Sequence, residues 1–143
     1  RMEDVFTYVD EAIALAAMYT ANHLQVSAII AFTESGATSL WMSRVRSDIP
    51  IYAFTRHEAT RRRVALYRGV YPAFFDVVHV EPGRIYQSAI EVLEKVGAVC
   101  SGDLVLFTGG DMAGVAGRTN TLRILEVGSE DRSNSSSDSE ERG

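Results

Sequence analysis

The densest group of residues able to do chemistry is Thr33-Glu34-Ser35-Gly36-Ala37-Thr38, which places three hydroxyls and a glycine in six positions directly after an apolar run. Hydroxyls and N–H groups at the start of a helix present partial positive charge to an anion, and glycine lets the backbone approach it closely. The chemistry on offer is phosphate binding. The same residues also read as a plain helix start, with Ser35 capping and no ligand. One helix end contributes about 0.3 to 2 kcal/mol toward an anion, so a phosphate site needs several N–H groups and hydroxyls together.

Two further segments carry candidate chemistry. Gly109-Gly110-Asp111-Met112-Ala113-Gly114-Val115-Ala116-Gly117 has four glycines in nine residues, more backbone freedom than a plain connector requires. It has no Lys-Ser/Thr at Walker spacing and is not GxGxxG, and it joins strand to strand, so both nucleotide fingerprints fail. It reads as a mobile loop closing over a ligand or as a surface loop. Thr55-Arg56-His57 is followed by Arg61, Arg62, Arg63 and Arg68. Arginine suits bidentate anion partners, but three consecutive arginines cannot share a helix face and Glu58 can pair with Arg61 or Arg62. A solvated helix face is the expectation, with His57 as a helix-start residue.

His23 and His79 have no companion at ligand spacing, so no metal site is assigned. No Ser-His-Asp order and no paired carboxylates are present, so no catalytic residue is assigned either. Cys100, outside any CxxC, reads as a small hydrophobe at the core edge in a reducing compartment.

These segments must be positioned by the elements between them. Val5, Val9, Ala12, Ile13, Ala16 and Ala17 recur at helical spacing and predict a helix over 3–22. The runs at 27–32, 51–55, 73–78, 103–108 and 121–127 predict strands, with helices after the first strand, over 57–69 and over 83–97. Strands alternating with helices imply βαβ units and a mainly parallel sheet in a three-layer α/β fold. The last connection has no helical pattern and is too short for a parallel crossover, so the fifth strand is an antiparallel edge. In such sheets ligands bind beyond the carboxyl ends of the strands, which is where all three chemical segments fall.

The 143 residues are 46% hydrophobic and 23% charged. That is one domain's worth of chain, able to bury roughly 70% of its unfolded surface. Of the net charge of −5, the tail from Gly128 holds five acids and two arginines. Residues 1–127 form the domain; 128–143, acidic, serine-rich and lacking large apolar residues, is expected to be disordered. The near-neutral remainder argues against nucleic acid as a partner, which would have to use Arg56 to Arg68. No signal peptide or membrane segment is recognised, and Arg1 in place of an initiating methionine implies a cut chain.

Taken in order, TxSG after a strand, P-I-x-A-x-T-R, ALYRGVYP, SGD and G-x-TNT are highly specific, and residues 1–127 that carry them resemble the carboxyl-terminal domain of pyruvate kinase. The resemblance implies an allosteric effector-binding and oligomerisation domain of a cytoplasmic glycolytic enzyme. In that family an upstream barrel binds phosphoenolpyruvate, ADP, Mg2+ and K+, so this chain alone would lack phosphotransferase activity and hold no cofactor. It also implies an effector phosphate site on Thr33, Glu34, Ser35, Gly36, Ala37 and Thr38. The late loop, with Gly109, Gly110, Asp111, Gly114 and Gly117, would complete that site. A homotetramer with the last strand at the interface is implied as well.

Members activated by fructose 1,6-bisphosphate often carry cations where this chain has Glu34 and Ala37, and a Trp-Arg-containing late loop. The acids Glu34 and Asp111 disfavour a second phosphate, and the sequence more closely resembles the bacterial type of the family, which implies a sugar monophosphate such as glucose 6-phosphate or ribose 5-phosphate, or AMP, as effector. A reading from a different class is a freestanding α/β sensor or enzyme acting on a phosphorylated metabolite.

Overall fold

A computed structural model describes residues 2–110 and 119–129, with side chains from residue 8 onward. Helix α1 (Met2–Leu24) leads into strand β1 (Ala28–Phe32), whose five residues are all buried. Helix α2 (Ala37–Ser43), β2 (Ile51–Thr55), helix α3 (Glu58–Val64) and β3 (Val70–Phe74) follow. Helix α4 (Ile85–Lys95) then precedes β4 (Leu104–Gly109) and β5 (Thr121–Glu126). The continuous apolarity of β1 and β4 is what a strand covered on both faces requires.

The strands form one sheet in the order β3-β2-β1-β4-β5. β1 pairs in parallel with both β2 and β4, β3 is parallel to β2, and β5 is antiparallel to β4. The chain runs outward from β1 to β3 and then crosses back to place β4 on the other side of β1. The strand order therefore reverses between β1 and β4, the place where open α/β sheets bind ligands beyond the carboxyl ends of their strands.

Helices α1, α2 and α3 cover one face, where Ala17, Met18, Met42 and Val64 pack on Ile29 and Leu106. Helix α4 covers the other, where Ile85, Ala89 and Leu93 pack on Ile30, Phe54 and Phe107. This is the expected three-layer α/β arrangement with its antiparallel edge strand.

Several boundaries differ from expectation, each for a local reason. The third strand is Val70–Phe74, not 73–78. Asp76 accepts the Val78 N–H at 3.1 Å and the His79 ring N–H at 2.6 Å, which bends 77–79 into a single 3-10 turn despite two valines. That His79 bond is the main cause holding the Asp76 carboxyl below its ordinary range. Pro72 lies inside β3, which the edge position permits because a ladder donor is dispensable on the outer side. The α3 helix stops at Val64 rather than 69: Leu66 and Tyr67 donate to carbonyls three residues back, and Gly69 turns out at φ 71°. Cys100 is exposed, not at the core edge, with its backbone N–H held by the Asp103 carboxylate at 2.9 Å. Asp103 also raises the Cys100 thiol above its ordinary value, by hydrogen bond first and charge second. The tail lies outside the described residues from 130 on.

Candidate functional site

The loop after β1 is shaped by its own side chains. Thr33 Oγ1 accepts the Gly36 N–H at 2.7 Å, and Ser35 Oγ accepts the Ala37 N–H at 3.3 Å. Each hydroxyl keeps its O–H to donate. The first backbone bond of α2 is Leu40 N–H to Gly36 C=O, so the N–H groups of Thr38 and Ser39 precede any intrahelical acceptor. Gly36 occupies the helix N-cap with φ 84°, a left-handed conformation that side chains resist. A Cβ there would lie 2.7 Å from Val64 Cγ1, so glycine is required by conformation and by space. Ser35 is therefore not the N-cap residue; it braces the following N–H from one position earlier.

Thr38 turns inward. Its hydroxyl is buried and lies 2.6 Å from that of Thr119, which comes just before β5. Thr119 in turn donates its backbone N–H to Oδ1 of Asp10 at 2.9 Å, a buried carboxylate on α1. Asn120 N–H and the Thr121 hydroxyl both bond to Gly109 C=O, tying the start of β5 to the last residue of β4. The structure thus brings Thr38, the last residue of the 33–38 loop, against Thr119 at the carboxyl end of the sheet. Gly109 ends β4 and Gly110 follows it; Asp111, Gly114 and Gly117 lie outside the described residues. Two more hydroxyls border this region, Ser39 Oγ and Thr108 Oγ1, both buried and without a hydrogen-bond partner among the described residues.

The cationic segment after β2 closes the other side of the loop. His57 is the residue preceding α3, as expected of a helix-start residue, but its ring is turned onto Glu34. Because a carboxylate only accepts, His57 Nε2 carries the proton in that bond. Arg56 Nε lies 3.7 Å from the same Glu34 oxygen. Glu34 is therefore held beside two basic groups rather than projecting into the crevice. The arginines of α3 are not a uniformly solvated face. Arg62 pairs with Glu58 at 2.6 Å as expected, but Arg61 stacks over Phe74 at 5.3 Å and Arg63 bonds to the Ser35 carbonyl at 2.8 Å.

Among the described residues no group of three or more His, Cys, Asp or Glu is placed to hold a metal ion. The carboxylate nearest the loop already faces two basic groups, so this donor set does not fit a resident Mg2+ or K+. Among the described residues no helix is long and apolar enough to cross a membrane. What the arrangement can do is accept an anion on neutral donors: hydroxyl O–H groups and backbone N–H groups at the carboxyl end of a parallel sheet.

Asp10 and Thr60 carry no signal in the sequence, and Arg63 is read there only as part of a solvated helix face. Asp10 reads as one of several acids at a helix start, and Thr60 as a position on a polar helix. Thr119 carried a signal, the TNT triplet that follows the glycine-rich segment.

Residues 11–125 match the family model described as pyruvate kinase, alpha/beta domain. The chain is 48% identical over 128 residues to pyruvate kinase II of Salmonella typhimurium, covering 89% of this chain and 26% of that protein. It is 48% identical to a pyruvate kinase of Buchnera aphidicola and 40% identical to that of Haemophilus influenzae, each over 89% of this chain and 26% of the relative. The chain thus spans about a quarter of the length of the curated relatives it matches. With the alternating strands, the reversed strand order and the antiparallel edge β5 all in place, the chain belongs to the pyruvate kinase alpha/beta domain family.

Proposed function

We propose that residues 1–127 are the effector-binding and oligomerisation domain of a cytoplasmic pyruvate kinase. The whole enzyme in this reading transfers a phosphoryl group from phosphoenolpyruvate to ADP in glycolysis, giving pyruvate and ATP. Its Mg2+ and K+ belong to a catalytic barrel, not to this domain. The effector is a sugar monophosphate or AMP, held through its phosphate by Thr33, Ser35, Gly36 and Thr38 with Glu34 and Ala37 between, and covered by the segment from Gly109 to Gly117.

The observation that supports this reading is the contact of the Thr38 and Thr119 hydroxyls, which brings the start of α2 against the residue just before β5 beside the strand-order reversal. An anion arriving there meets the O–H groups of Thr33 and Ser35 and the N–H groups at the start of α2. The single-phosphate preference follows from charge. Glu34 already faces Arg56 and His57, so its carboxylate offsets the Arg56 charge and repels a second phosphate on that side of the loop. Self-association uses β5, an antiparallel edge strand whose outer row of backbone groups faces no other strand of the sheet.

Calorimetry with glucose 6-phosphate, ribose 5-phosphate, AMP and fructose 1,6-bisphosphate tests the effector class. At least one monophosphate is expected to bind more tightly than the bisphosphate; tight bisphosphate binding with none to monophosphates contradicts it. For the interface, a chain ending at Asn120 is expected to lose the self-association seen with β5 present by sedimentation. Unchanged association removes β5 from the interface.

A further inference from the structure

Helix α3 grips the 33–38 loop by its backbone. The Thr60 hydroxyl donates to Glu34 C=O at 2.7 Å, and Arg63 Nη1 donates to Ser35 C=O at 2.8 Å. Val64 packs against Gly36 so closely that no Cβ fits between them. Three consecutive residues of the loop are thus fixed by one face of α3, since 60, 63 and 64 are neighbours at helical spacing.

The consequence follows from peptide geometry. In a trans peptide the C=O and the next N–H point in opposite directions. With Glu34 C=O drawn toward α3, the Ser35 N–H faces away from it. With Ser35 C=O drawn to Arg63, the Gly36 N–H faces away too, where it meets Thr33 Oγ1 at 2.7 Å. A loop without these two donors is able to rotate either peptide and turn a carbonyl oxygen, which repels phosphate, toward the crevice. Glu34 is anchored at the same time by its side chain to Arg56 and His57, from the same segment of chain.

We infer that Thr60 and Arg63 are positioning residues for the anion-binding loop, fixing its two peptides so that the Ser35 N–H faces away from α3 and the Gly36 N–H stays on Thr33 Oγ1, without touching the ligand. This rests on the effector site proposed above. Thr60 carries the larger part because its hydroxyl is buried and water cannot replace it, whereas Arg63 is exposed.

The test uses Thr60→Val, which keeps shape and removes the donor, Thr60→Ser, which restores the donor, and Arg63→Ala. Calorimetry with ribose 5-phosphate and, separately, inorganic phosphate reads affinity; hydrogen exchange at the Gly36 and Ala37 amides reads loop order with no ligand present. Thr60→Val is expected to weaken both probes about five- to tenfold, the scale of one lost hydrogen bond, and to speed exchange at both amides. Arg63→Ala is expected to weaken them about two- to threefold, and Thr60→Ser to restore both readouts. Wild-type affinity in Thr60→Val and Arg63→Ala, or faster exchange spread over the whole domain and not rescued by Thr60→Ser, overturns the inference. If the unmodified chain binds neither probe while exchange at the two amides still responds to Thr60→Val, the effector reading fails. The structural part of the inference then stands, and its link to a ligand is withdrawn.

Discussion

The loop at 33–38 and the segment at 56–64 sit side by side at the carboxyl ends of β1 and β2, and they divide the work in an unexpected way. The second holds four arginines and a histidine, the first no cation at all. Yet the charges are already committed: Arg56 and His57 to Glu34, Arg62 to Glu58, Arg63 to a carbonyl and Arg61 to an aromatic ring. The loop without a cation is the one that keeps donors to spare, the O–H groups of Thr33 and Ser35. What a segment can offer a ligand is set by the bonds left over after the fold has formed, not by its formal charge.

That contrast is most sharply broken at Gly36. Gly36→Ala is expected to lower stability by about 2 to 4 kcal/mol, combining left-handed strain with a clash against Val64. Denaturant unfolding measures it; a loss of about 0.5 kcal/mol or less, the scale of a surface substitution, shows that the loop is not pinned on α3. A smaller effect is expected from Glu34→Gln, which releases Arg56 and His57. Affinity for fructose 1,6-bisphosphate should rise about two- to fivefold, the scale of a partly exposed ion pair, with monophosphate affinity little changed. An equal rise for both ligands places the cations at the first phosphate instead. Smallest of all, Arg62→Ala should change stability by no more than about 0.5 kcal/mol, because the pair with Glu58 is an exposed i,i+4 pair. A larger loss, or any loss of phosphate affinity, gives the cationic segment a role denied to it above.

How much of this was legible beforehand follows the same division. The alternation of apolar runs and helical spacing suffices for the three layers, the parallel sheet and the antiparallel β5, because burial on both faces leaves a strong pattern in β1, β2 and β4. Strand β3 was displaced because the valines at 77 and 78 look extended until Asp76 captures the following N–H. The 33–38 loop was legible from residue type alone, and the family resemblance sharpened it. Its supports were not. Asp10 reaches Thr119 across 109 positions and Thr60 reaches Glu34 across 26, and neither contact leaves a local trace in spacing or composition. Asp111, Gly114 and Gly117 lie outside the described residues, so the far wall of the crevice rests on the resemblance.

The most direct measurement of the central claim is a titration of ribose 5-phosphate followed by backbone amide resonances, in the unmodified chain and in Ser35→Asp. The account predicts that the largest shifts fall on the amides of residues 35–39. It also predicts that Ser35→Asp, by placing a carboxylate against the phosphate, weakens binding on the order of 100-fold. Shifts centred on Arg56 to Arg63, or binding that survives Ser35→Asp unchanged, would contradict it.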